Sequence, residues 1–210
     1  MTRNHTPFGR SAPHRAPPVA RSLPILLVLV LGFAGCASHP RGLAVAPGRA
    51  FAGELIEARA PQTDGWLLVQ SSASAFVFAK DGDVQGSSFV ATASTFPLAP
   101  PKTPAEFEAL IKEALAKDTD PVRFDIQQAS VAYSSERSYP CVRYNSLTLD
   151  RNPVGSSAPL LLALDGLYCR HPVRQDVGFA AVFSYRGASR HPTLRSEAEA
   201  FIQGVRAREK

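Results

Sequence analysis

No apolar run in this 210-residue chain is long enough to cross a bilayer. The longest, Leu23 to Phe33, is about 11 residues, or roughly 16 Å of helix, against a hydrocarbon core about 30 Å thick. Catalytic signatures are missing too. There is no Walker loop, no dinucleotide fingerprint and no H-E-x-x-H helix, and neither Gly86-Ser87-Ser88 nor Gly155-Ser156-Ser157 fits a nucleophile elbow. Histidine, the usual base at neutral pH, is scarce: beyond residue 35 only His39, His171 and His191 remain. His171 and His191 each precede a proline, which biases them to extended positions, and they read as exposed loop residues. Trp66 is the one tryptophan, and Met1 is the one methionine, so a shorter start would need a different codon.

What is present begins with that short run. It has the length of a signal-peptide hydrophobic region, and Arg3, Arg10, Arg15 and Arg21 precede it with no Asp or Glu among residues 1–35. The segment therefore reads as an export signal. At its end, Phe33-Ala34-Gly35-Cys36 resembles the lipobox of bacterial lipoproteins, in which small residues let the signal peptidase approach a cysteine that carries the lipid. Phe33 stands where that family usually has Leu. The resemblance implies lipidation at Cys36, palmitate among the acyl chains, and a lasting anchor, since two or three chains hold where one is marginal. Ala37 after the cysteine implies, by the family's sorting rule, the outer membrane and its periplasmic face. The alternative is an ordinary secretory signal with Cys36 incidental.

Removing the signal changes what the charge means. Of 23 basic side chains four lie in residues 1–35, which leaves 19 against 18 acidic ones, so the formal +5 marks an export signal and no nucleic-acid footprint. Hydrophobic content of 45% and charged content of 20% indicate a globular domain. The expected division is a signal peptide over 1–35, lipidated Cys36 and a tether over 36–50, and a single α+β domain over 51–210.

Along that domain, Trp66–Val69, Ser74–Lys80, Phe89–Thr95, Val122–Tyr133, Tyr139–Leu149, Leu160–Arg170 and Val177–Tyr185 have strand composition. Thr103-Pro104-Ala105-Glu106 is a capping box, followed by Phe107, Leu110, Ile111, Ala114 and Leu115 at helical spacing, which predicts a helix over 103–117. Ser196-Glu197-Ala198-Glu199 predicts a second helix over 196–208. The pattern is α+β, a mainly antiparallel sheet with both helices on one face. The element order and the closing Ala198 to Arg206 segment resemble the Mog1/PsbP-like α/β fold. Gly65-Trp66, Phe78-Ala79-Lys80, Pro104 to Phe107, Cys141 to Tyr144 and Cys169 to Pro172 resemble a group of uncharacterised proteobacterial lipoproteins, a resemblance that implies no activity.

Cys141 and Cys169 remain, and an oxidising compartment would pair them. If the loop 150–159 is a hairpin centred on Gly155, facing residues sum to 310, and 141 and 169 do so. The same register sets Tyr144 across from Gly166. A catalytic thiol beside His171, or a metal site using both cysteines, is the functional alternative.

Other features have plain readings beside sharper ones. Asp81-Gly82-Asp83 begins like a calcium loop, but Gln85 and Thr92 stand where ligands are expected, and a hairpin turn fits better. Asp125, Asp150, Asp165 and Asp176 are a scattered acidic set that a glycosidase-like pair would have to draw on. Trp66 is a core residue or a binding-face aromatic. Arg137, Arg143, Arg151, Arg170 and Arg174 fall on or near the hairpin and form either a basic patch or an ordinary charged surface. A binding face would use Trp66, Arg143 and Arg170. Together these features point to a membrane-anchored, non-catalytic envelope module that takes a protein, glycan or lipid partner, with no metal, cofactor or nucleic acid expected. An envelope hydrolase with an unrecognised acid/base set, and a structural or stress-related envelope protein, are the alternatives.

Overall fold

The computed structural model describes residues 42–209; the segment expected to be a signal peptide, 1–35, and Cys36 lie outside them. Thirteen elements follow in chain order: β1 (Leu43–Ala44), β2 (Ala50–Ala52), β3 (Ile56–Arg59), β4 (Leu67–Ser71), β5 (Ala75–Asp81), β6 (Ser88–Pro97), α1 (Pro104–Asp118), β7 (Phe124–Ser134), β8 (Cys141–Asp150), β9 (Leu160–Arg170), β10 (Val177–Gly187), α2 (Leu194–Gln203) and β11 (Arg206–Ala207). The fold is α+β. An eight-stranded sheet runs β1-β4-β5-β6-β10-β9-β8-β7, and a three-stranded one runs β11-β3-β2. Every pairing is antiparallel.

The first helix follows its cap. Thr103 Oγ1 accepts the Glu106 amide at 3.1 Å, Pro104 occupies the first turn, and Glu106 reaches back one residue further than expected, accepting the Lys102 amide at 2.7 Å. Phe107 and Ile111 are its buried anchors, each contributing roughly 1.5–3 kcal/mol on burial. The second helix differs from the expected 196–208. It starts at Leu194 after Thr193 and ends at Gln203, where Gly204 stops it and Arg137 Nη2 donates to the carbonyls of Ile202 (2.7 Å) and Val205 (3.3 Å). Residues 206–207 then leave the helix to pair with β3, whose free edge offers more hydrogen bonds than another frayed turn would.

The two helices lie on opposite faces of the large sheet, which corrects the expectation of one shared face. Beside α2, the core holds Trp66, Phe78, Phe89, Leu167, Phe179 and Phe183, with Ile56 and Ala58 of the small sheet. Beside α1, it holds Phe96, Val142, Tyr144, Tyr168 and Ala180. The physical reason is visible in neighbouring residues. Cys141 and Val142, Leu167 and Tyr168, and Phe179 and Ala180 point to opposite faces and are all buried, so each face needs its own cover.

The expected tether over 36–50 is shortened by the fold. Leu43 pairs with Leu68 and Ala44 with Leu67, while Val45 is 8% exposed and donates its amide to the Trp66 carbonyl at 3.1 Å. The segment closes the sheet edge over the Trp66 region, where Val45 joins the core.

Candidate functional site

Hairpin β8–β9 has the register that its turn predicts. Cys141 faces Cys169 and Tyr144 faces Gly166, and the two sulfurs are bonded with the Cα atoms 4.0 Å apart. Such an approach belongs to a non-hydrogen-bonded antiparallel pair. Gly155 adopts φ +83° at the hairpin loop, a conformation that favours glycine. A Cβ on Gly166 would stand 3.3 Å from Val182 Cγ2 and 3.4 Å from the Tyr168 ring, a tight fit between the neighbouring side chains. With both sulfurs bonded and both cysteines fully buried, neither is a nucleophile or a metal ligand.

Arg143, one residue beyond Val142 on the α2 side, is the hub of a charge network. Its Nη2 lies 2.7 Å from Glu199 Oε2 of α2 and 2.9 Å from Asp165 Oδ1 of β9, and its Nη1 lies 3.4 Å from Glu136 Oε2. Burial works against the guanidinium's charge, but Glu199, Asp165 and Glu136 together outweigh it and raise its pKa. Asp165 is raised above the ordinary carboxylate range, by burial first and by Glu199 in addition, against the pull of Arg143. The network fastens α2 to the hairpin.

At the far end of β8, Asp150 is fully buried between two guanidiniums. Arg123 grips both its oxygens at 2.9 Å, and Arg186 Nη2 stands 3.3 Å from Oδ2. Burial pushes the carboxyl up, yet the Arg123 bond, Arg186 and the Asn152 amide together hold it below its usual value. Burial and the repulsion of Arg123 lower Arg186.

The residues expected to form a binding face do not converge. Trp66 is 1% exposed, packed edge-on against Phe183 at 5.5 Å with its indole nitrogen donating to Thr63 Oγ1 at 3.0 Å. It is a core residue because Phe89 and Phe183 offer it more apolar contact than solvent does. Arg143 is spent on its carboxylates, and Arg170 Nη1 donates to the Pro101 carbonyl at 3.5 Å. Arg137 caps α2, Arg151 pairs with Asp125 at 3.0 Å, and Arg174 pairs with Asp176 at 3.3 Å. No common basic patch forms from them, since each has its own local partner. The four scattered acids are likewise divided among different arginines, and Asp150 and Asp165 face opposite sides of the sheet.

Both histidines differ from the expected exposed loops. His171 is 1% exposed: its Nδ1 accepts the amides of Val173 (3.2 Å) and Arg174 (3.0 Å), so its proton sits on Nε2, 3.1 Å from the Leu55 carbonyl. It pins the small sheet to the β9–β10 turn. His191 packs against Phe89 at 4.9 Å and Tyr185 at 5.1 Å between ring centroids. Its Nε2 stands 3.8 Å from Asp83 Oδ2 and its Nδ1 3.0 Å from Thr193 Oγ1. An Asp-His-Thr row of this kind was not legible, because Asp83 is far away in sequence. Its chemistry is limited: Thr193 donates its one hydroxyl proton to Glu197 Oε1 at 2.6 Å, so it can only accept from His191. Glu197 in turn accepts from Thr63 at 3.4 Å, which links the row to Trp66.

The Asp81-Gly82-Asp83 segment turns as a hairpin between β5 and β6, closed by the Gly82 amide on the Ser87 carbonyl at 2.9 Å. Beside α1 a recess of about 10 Å³ is lined by Phe96, Leu98, Leu110, Ala114 and Tyr168 among others, room for about one water against apolar walls. Among the described residues no group of three His, Cys, Asp or Glu is placed to hold a metal ion, and no helix is long and apolar enough to cross a membrane.

No family model matches the chain, and no curated protein matches it. Among solved structures it is similar to a crystal structure from Bacteroides thetaiotaomicron VPI-5482, at 16% identity and a TM-score of 0.33. The match covers 78% of this chain and 49% of the other, so the chain spans about half the length of that neighbour.

Proposed function

We propose that the protein is an exported lipoprotein, lipidated at Cys36 and held at the periplasmic face of the outer membrane, where its domain serves as a non-catalytic binding or assembly module of the cell envelope. The observation that carries this reading is Phe33-Ala34-Gly35-Cys36 at the end of the apolar run Leu23 to Phe33. The bond between Cys141 and Cys169 supports it, because a buried disulfide suits an oxidising compartment and leaves Cys36 as the one remaining thiol. The domain's partner, a protein, glycan or lipid, would be met on the surface; the recess beside α1, about 10 Å³, is too small to take it.

Labelled palmitate should enter the protein in cells, and Cys36→Ala should release it from the membrane fraction. Absence of label, or a Cys36→Ala protein that stays on the membrane, would refute the anchor. The rival reading, an envelope hydrolase, has one juxtaposition in its favour, His191 between Asp83 and Thr193. It would be preferred if purified protein hydrolysed an ester or glycan and Thr193→Ala abolished that activity.

A further inference from the structure

The fold begins closer to Cys36 than its sequence suggests, and this restricts where the domain can stand. From Leu43 onward the chain is locked: Leu43 and Ala44 pair with β4, and Val45 is in the core. Seven residue steps separate Cys36 from Leu43. Covalent geometry limits their reach to about 25 Å at full extension. A lipid on Cys36 would therefore hold the edge strand β1 within one short tether of the headgroups.

The stretch that emerges there has the composition of a lipid-facing surface. Leu43 is 74% exposed, and Ala44, Ala46, Ala50 and Ala52 are exposed as well. Arg49 lies among them, no Asp or Glu occurs between Leu43 and Ala52, and across β2–β3 exposed Arg59 faces Ala50 while exposed Glu57 faces Ala52 at the far end. Arg49 is exposed and lies over the Phe51 ring, 5.3 Å from its centroid. β1 ends the large sheet and β2 ends the small one, so the segment from Leu43 to Ala52 includes an edge strand of each.

We propose that the β1–β2 segment is a membrane-docking edge, with Leu43 entering the interface of an anionic phospholipid surface and Arg49 meeting its phosphates. This rests on the reading of Cys36 as the lipid attachment site. Docked this way, the sheet stands with β1 at the bilayer and β7, seven strand spacings or about 33 Å across, facing away from it.

The test uses the chain from Cys36 to Lys210, coupled through the Cys36 thiol to a maleimide lipid in vesicles containing phosphatidylglycerol and brominated phosphatidylcholine. Trp66 is buried and gives a constant background. Tryptophan is introduced by Leu43→Trp in one protein and by Val122→Trp in another; Val122 is 81% exposed and adjoins β7. Bromine should quench the tryptophan at 43 at least three-fold more than that at 122. Equal quenching at the two sites, or none at 43, would overturn the proposal. In a second measurement, the uncoupled Cys36→Ser chain should bind anionic vesicles about five-fold less well once Arg49→Gln is added. Unchanged affinity, or equal binding to purely zwitterionic vesicles, would also overturn it. Coupling is chemical, so a failure of lipidation in cells would refute the anchor without touching these results, and failed docking would leave the anchor standing.

Discussion

Reducing the Cys141–Cys169 bond tests how much of the domain's stability the hairpin cross-link supplies. The bond spans a sequence separation of 28 and closes a loop of 29 residues counting both ends. In the chain-entropy model, 2.1 plus 1.5R times the logarithm of that length is about 12 cal/mol/K, or about 3.6 kcal/mol at 25 °C. This is an upper figure, because β8 and β9 pair along their whole lengths and a residual hairpin in the unfolded chain would already hold the ends together. The assay is urea unfolding of oxidised and reduced protein followed by far-UV circular dichroism. With a slope near 2.5 kcal/mol/M, the midpoint should fall by up to about 1.4 M on reduction. A Cys141→Ala, Cys169→Ala double variant should behave like the reduced protein and be insensitive to reductant. A midpoint that moves by less than about 0.2 M on reduction would refute the reasoning, since the cross-link would then constrain nothing that the unfolded chain is free to explore.

Three further outcomes follow from buried polar groups. Asp150→Asn removes the shared partner of Arg123 and Arg186 and should cost about 3–5 kcal/mol in thermal or urea unfolding. Because the folded carboxyl sits below its unfolded value, its stabilisation is present above the unfolded pKa and is lost as pH falls through the folded one; acid titrations of the wild type should show this loss and those of Asp150→Asn should lack it. Asp165 has the opposite sign: its raised carboxyl makes ionisation costly in the fold, so its contribution improves as pH falls through the folded value, and Asp165→Asn should flatten that part of the pH profile. His171→Ala leaves the Leu55 carbonyl and two turn amides without their partner and should lower stability by about 2–4 kcal/mol, with hydrogen exchange accelerating first in β3 and the β9–β10 turn.

Much of the secondary structure was legible because its signals are local. The α1 cap needs only Thr103, Pro104 and Glu106, which are neighbours in sequence, and the helix begins where they place it. The hairpin register followed from one turn: with Gly155 at its centre, Cys141 had to meet Cys169 and Tyr144 had to meet Gly166. The face of each helix was not legible. Strands β9 and β10 carry mostly apolar residues on both sides, so the alternation that normally marks an inner face is absent. Helix α2 ends before the expected residue 208 because Arg206 and Ala207 are drawn into β11 by β3, a strand about 150 positions earlier.

Charged and titratable side chains show the same limit. His171 and His191 precede prolines, which describes their backbone and says nothing of burial; a carbonyl at Leu55 and the rings of Phe89 and Tyr185 decide that. The arginines near the hairpin looked like one group in sequence, yet Glu199, Asp125, Asp176 and the helix carbonyls of α2 take them one by one.

By itself the sequence determined the α+β class, the positions of β4 to β10 to within a few residues, the first helix and the pairing of two cysteines, but none of the short strands β1, β2, β3 and β11. Tertiary structure decided which sheet face each helix covers, which carboxylate neutralises which arginine, and that Leu43 to Val45 belong to the fold. The division has one physical cause. Caps, turns and hairpin registers are set by groups a few residues apart, whereas burial and charge pairing depend on segments such as β3 and α2, or β1 and Trp66, that meet only when the chain has folded.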